Sequence, residues 1–152
     1  MKRADALIPL SREHHVALVL ARQAVTAATD TATQQTQVIE RTLNAWDQHI
    51  IDHLVTEETS LLPALEAAGE RAAAATARAQ HAALRALIER LRRRDACALA
   101  PWGEQMREHV KFEERSLFPL AERSLDLTAM RDALHRPDTR PASQPPHNRR
   151  SS

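Results

Sequence analysis

Two segments of this chain are near copies set 56 positions apart: Trp46 to Glu66, reading WDQHIIDHLVTEETSLLPALE, and Trp102 to Glu122, reading WGEQMREHVKFEERSLFPLAE. Between Trp46/Trp102 and Pro63/Pro119 the identical pairs are Trp46/Trp102, His53/His109, Glu57/Glu113, Glu58/Glu114, Ser60/Ser116, Leu61/Leu117 and Pro63/Pro119, where chance would give about one or two. Each copy carries a His followed four residues later by a Glu. On an α-helix such a pair differs by about 40° in direction and one turn in height, so imidazole and carboxylate leave the same face. Two such helices facing each other bring two His and two Glu to a common point. A carboxylate can bridge two ions about 3.5–4 Å apart, so the duplication points to a dinuclear metal centre within a helical bundle.

The rest of the composition suits that fold. A chain of 152 residues is the usual size of one domain and can bury roughly 68–70% of the surface its unfolded form exposes. Two Gly, abundant Ala, Leu, Glu, Gln and Arg, and an aromatic content of 3% favour closely packed helices over a core of aliphatic side chains. A net charge of +1 gives no pull toward nucleic acid or anionic lipid, and neither a secretory leader nor a long apolar run is legible. The expectation is a cytoplasmic protein with no nucleic-acid or membrane partner. Cys97 is the sole cysteine, which excludes an intrachain disulfide and a thiolate zinc site and leaves it a small structural residue.

Periodicity places a first helix near residues 11–28 with Ser11 as its N-cap, and a second from about 34 to 59. Pro63 is expected to kink or stop the second helix and Gly69 to end the segment. A third helix near 70–94 carries Leu84, Leu87, Ile88 and Leu91 on one face and ends in three arginines, read as solvated cations at a helix C-terminus. Pro101 opens a fourth helix to about Leu117, where Pro119 repeats the role of Pro63. A short fifth helix is expected over 125–134. Residues 1–136 thus form one all-α domain, an up-down four-helix bundle with a short additional C-terminal helix. Residues 137–152, PDTRPASQPPHNRRSS, are polar and rich in Pro and Arg and are expected to be disordered, which sets His147, like the nearby His135, aside as a ligand.

Each half also offers a His on the preceding helix: His81 in the second, His14 or His15 in the first. Aligning His14 with His81 matches Ala17 to Leu84, Leu20 to Leu87, Ala21 to Ile88 and Ala24 to Leu91, whereas aligning His15 sets Arg22 against Ile88. The apolar periodicity favours His14, with His15 as the alternative. The candidate metal ligands are therefore His14, His53, Glu57, His81, His109 and Glu113. Four buried His and two buried carboxylates left without a metal would be short of partners at a cost on the order of 1–3 kcal/mol each. Glu58, Glu114, Asp52 and Glu108 flank the ligands as solvated groups or as groups that orient the imidazoles. Trp46 and Trp102 either wall the pocket or fill the core. His49, one turn before His53, is a spare nitrogen whose counterpart is Gln105.

This pattern, a His followed by a His-x-x-x-Glu helix, twice, with the segment EHVKFEERSLFPL, resembles the hemerythrin-like HHE cation-binding domain family over about residues 10–122. The resemblance implies a four-helix bundle holding a non-haem di-iron centre, with His14, His53, His81 and His109 as terminal imidazoles and Glu57 and Glu113 as bridges. The respiratory members bring two His from the third helix, where this chain offers only His81. Fewer nitrogens leave more open coordination positions, which favours redox, sensing or peroxide chemistry over pure oxygen carriage. Manganese or zinc would suit the donor set less well than two iron ions.

Three functions follow. The leading one is a protein that binds a small diatomic, O2 or NO, or senses iron or redox state. The second is a di-iron enzyme acting on peroxide, NO or ferrous iron. The third is an interaction module whose metal is structural. The absence of Tyr excludes a tyrosyl-radical enzyme, and no His-Glu-x-x-His motif is present.

Overall fold

The computed structural model describes residues 2–135; the segment expected to be disordered, with His147, lies outside the described residues. Among those residues the chain is helical, without strands. Helix α1 is Ile8–Ala27. Helix α2 runs over residues 32–67, helix α3 is Arg71–Arg92, helix α4 runs over residues 99–124, and a short α5 is Leu127–Leu134. Cross-helix pairs show the up-down order. Arg92, Arg85 and Arg78 on α3 pair with Asp47, Glu58 and Glu66 on α2 in reversed order. Arg3, just before α1, pairs with Glu122, while His14 meets Glu114 and Ala21 lies against Gly103, so α1 and α4 are antiparallel neighbours.

The first helix starts earlier than its sequence suggests. Ser11 lies inside α1, not at its N-cap, because Pro9 occupies the opening turn, where its missing N–H costs nothing. Leu7 and Leu10 are buried, which holds that turn and the preceding 3-10 turn Asp5–Leu7 against the bundle. Thr31 and Asp126 cap α2 and α5 by accepting hydrogen bonds from the backbone N–H groups of Gln34 and Ala129. Gly69, at φ 90°, closes α2: its N–H donates to the Glu66 carbonyl and that of Glu70 to the Leu65 carbonyl. Arg94 makes the same end for α3 at φ 62°, with Arg94 N–H on Leu91 and Asp95 N–H on Arg90. The three arginines of the run are all exposed, as expected, and Arg92 also pairs with the exposed Asp47. Cys97 is exposed.

Neither Pro63 nor Pro119 stops its helix. Each follows a turn widened by one residue, Glu57–Leu61 in α2 and Glu113–Leu117 in α4, in which Leu62 N–H bonds to the Glu57 carbonyl and Phe118 N–H to the Glu113 carbonyl. The extra residue moves the carbonyls out of the i−4 register that a proline ring would strike. The helices therefore continue through Leu62–Ala67 and Phe118–Ser124. A third wide turn, Trp46–Ile50, lies earlier in α2.

Two apolar clusters fill the bundle. One gathers Leu20, Ile39, Leu84, Ile88, Leu99 and Met106 with both Trp46 and Trp102, so the tryptophans are core residues. The other gathers Leu7, Leu10, Leu61, Leu65, Phe118 and Leu134 at the opposite end. His14, His53, Glu57, His81, His109 and Glu113 fall between the two, a polar layer within an aliphatic core.

Candidate metal centre

All six of these side chains are at most 6% exposed, and they converge from four helices. The i, i+4 pairs behave as helical geometry requires, with His53 Nε2 3.2 Å from Glu57 Oε1 and His109 Nε2 3.2 Å from Glu113 Oε1. Glu57 Oε1 also lies 3.4 Å from His81 Nε2. Glu113 Oε1 lies 2.9 Å from His14 Nε2 and 3.6 Å from His53 Nε2. Each carboxylate thus faces imidazoles from both halves of the chain. The donor atoms gather into two groups, each within 4.8 Å: Glu57, His81, His109 and Glu113 in one, His14, His53 and Glu113 in the other. Glu113 is common to both.

Proximity does not satisfy these atoms. Among the described residues, His53 Nδ1 and Nε2, Glu57 Oε1 and Oε2, His81 Nε2, His109 Nε2 and Glu113 Oε2 are buried without a hydrogen-bond partner. An unpaired buried polar atom costs about 1–3 kcal/mol, so a cluster of them inside an aliphatic core calls for a cation. Imidazole nitrogen and carboxylate oxygen are the donor types that iron, manganese or zinc accepts. The donors fit a metal centre.

The far sides of three rings are held. His14 Nδ1 is hydrogen-bonded to Glu114 Oε1 at 2.9 Å, His81 Nδ1 to Glu58 Oε2 at 2.8 Å, and His109 Nδ1 to Gln80 Oε1 at 2.7 Å. A ring whose Nδ1–H donates to an acceptor presents its Nε2 lone pair to the centre. Glu58 is itself gripped by Arg85 through two bonds of 2.6 and 2.7 Å, and Arg3 donates to Glu114 at 3.0 Å. The carboxylates following the two central ones therefore clamp rings of the other half of the chain. Glu108, by contrast, is exposed.

Electrostatics bind the layer together. Burial would lower the pKa of His14, His53 and His81, but Glu113 and Glu114 around His14, Glu57 and Glu113 around His53, and Glu57 and Glu58 around His81 outweigh it and raise all three. Burial would raise Glu113 and Glu114, yet the histidines hold Glu113 well below the usual carboxylate range, and His14 with Arg3 holds Glu114 at about 2.

A cavity of about 190 Å³ opens beside the layer, floored by His14, His53 and His109 and walled by Val16, Ile50, Leu54 and Met106. The structure draws His14 into the layer and leaves His15 exposed. His49 is exposed on the rim of the cavity and does not join the cluster. His135 Nε2 instead donates to the Asp5 carbonyl oxygen at 3.0 Å. Sequence reasoning missed Gln80, whose neutral amide sits one position before His81, and Phe118, which stacks on His14 with centroids 5.4 Å apart.

The family model for the hemerythrin HHE cation-binding domain matches residues 7–121. No curated protein and no solved structure gives a significant match.

Proposed function

The chain belongs to the hemerythrin HHE cation-binding domain family, and on that premise we propose that it is a non-haem di-iron protein that binds O2 or NO, or senses iron or redox state. His14, His53 and Glu113 would hold one ion, and His81, His109, Glu57 and Glu113 the other. Iron held by these residues would supply a site for a small ligand and a one-electron couple.

The observation that carries the ligand-binding reading is the cavity floored by His14, His53 and His109. Its aliphatic walls admit a small uncharged molecule, and apart from the three imidazoles its only polar lining groups are Glu13 and His49. A metal with a purely structural role sits in a closed shell, whereas here three of the imidazoles border open space. No described helix is long and apolar enough to cross a membrane.

Elemental analysis with optical spectra of the oxidised and reduced protein tests this reading. About two iron per chain and a new visible absorption on adding O2, NO or azide are expected. A spectrum indifferent to all three would overturn it, and sustained turnover of peroxide or NO well above free iron would make the protein an enzyme.

A further inference from the structure

The four imidazoles are not held alike. His14, His81 and His109 each have the nitrogen that faces away from the cluster engaged at 2.9 Å or less. The same nitrogen of His53 has no hydrogen bond among the described residues, although the residue is only 6% exposed. Its nearest carboxylate is Glu13, with Oε1 at 3.7 Å and a side chain 43% exposed.

His53 is buried, yet it lines a groove on its side of the bundle. This groove, of about 310 Å³, is bordered by Glu13, His49, Asp52 and His53. It shares Glu13, His49 and His53 with the cavity over the cluster, so the two form one approach. The other flanks carry cations. Glu58, next to His81, is neutralised by Arg85, and Glu114, next to His14, by Arg3. No arginine pairs with Glu13 among the described residues, so this is the face on which a divalent cation meets a carboxylate without first meeting a guanidinium.

We propose that this face is the route by which a divalent metal ion enters and leaves the centre, with Glu13 as the residue that captures it and His53 as the ligand that turns to pass it inward. A hydrated ion needs a surface carboxylate to hold it while water is shed. A half-exposed side chain one residue before His14 can reach outward and then follow the ion in. His53 alone among the four rings can rotate without breaking a hydrogen bond. The ion near His14 and His53 is accordingly the exchangeable one, and the ion near His81 and His109, behind the Glu58–Arg85 pair, is the slower. This inference rests on the six residues being a metal centre.

Stopped-flow uptake of Co2+ by the metal-free full chain tests it. Glu13→Gln is expected to slow uptake about tenfold while leaving the final cobalt stoichiometry and the cobalt absorption spectrum as in the unaltered protein. Glu13→Asp should restore most of the rate, and Glu40→Gln, at an exposed position on α2, should leave it unchanged. An unaltered rate in Glu13→Gln overturns the route. A lower final stoichiometry in that variant overturns the capture role, because it would make Glu13 a ligand. A failure of the unaltered chain to bind Co2+ at all would remove the metal reading and this proposal with it.

Discussion

Gly103 on α4 lies against Ala21 on α1 so closely that a β-carbon on Gly103 would sit 2.5 Å from the Ala21 carbonyl oxygen and 2.7 Å from Val25 Cγ2. The position corresponds to Asp47 in the first copy, where the side chain is exposed and paired with Arg92. The contact sets the spacing of the two helices that carry His14 and Glu113, whose Nε2 and Oε1 are 2.9 Å apart. Because the obstacle is backbone, Gly103→Ala should destabilise the fold by about 1–3 kcal/mol and lower the metal content with it. Thermal melting and elemental analysis of the variant measure both; an unchanged melting temperature would mean that α1 can shift freely across α4.

Removing a central imidazole should be felt by both ions. Glu113 faces rings on three helices, so His53→Ala and His109→Ala should each lose more than half of the bound iron. His14→Ala should behave likewise, and His15→Ala should retain the iron of the unaltered protein because His15 is exposed. Iron analysis in which the His15 variant is the more damaged would place the first-helix ligand at the wrong residue.

Clamps should matter nearly as much as ligands. Glu58→Ala frees His81 Nδ1 and strips Arg85 of its partner, and Gln80→Ala frees His109 Nδ1. Each should weaken metal affinity about 10–100-fold, whereas Glu108→Ala at an exposed site should not. Competition against a chelator of known affinity reads the difference, and equal affinities for Glu58→Ala and Glu108→Ala would count against the clamp.

Acid and metal should compete for the same nitrogens. His14, His53 and His81 have pKa values raised in the folded chain, so without metal they contribute stability that is full below about pH 6.5 and is lost as pH rises through the folded values. Glu113 and Glu114 are depressed; their contribution is present above the usual carboxylate range and lost as pH falls, for Glu114 toward about 2. The metal-free protein should therefore melt highest at about pH 5–6.5 and lose stability toward alkali. Metal requires unprotonated imidazoles, so the gap between metal-bound and metal-free melting temperatures should widen from pH 6 to pH 8. Calorimetry showing parallel curves would separate the metal from these histidines.

Much of the fold is legible in the sequence, because helical periodicity turns spacing into direction. That His14 rather than His15 faces the core needed only the apolar company of Ala17, Leu20 and Ala21, and all three are buried. What spacing could not convey was the passage of α2 and α4 through Pro63 and Pro119, since a wide turn depends on local hydrogen bonding that no residue type announces. Ser11 misled for a related reason: a good capping residue is also tolerated inside a helix when a proline has already opened it. Gln80 escaped because an amide in a polar stretch looks the same whether it meets solvent or an imidazole.

The crossing of the clamps has a consequence for the autonomy of the two halves. Glu58 belongs to the first copy and steadies His81 of the second, while Glu114 belongs to the second and steadies His14 of the first. Severing the chain in the connection between Ala67 and Arg71 would yield two pieces, each holding the other's orienting carboxylate. A lone unit would own one helix pair, one central carboxylate and a clamp aimed at a ring it does not possess. It could close its coordination sphere only by embracing a second unit, so the internal pseudosymmetry is a mutual dependence that ties any change in one copy to the chemistry of the other.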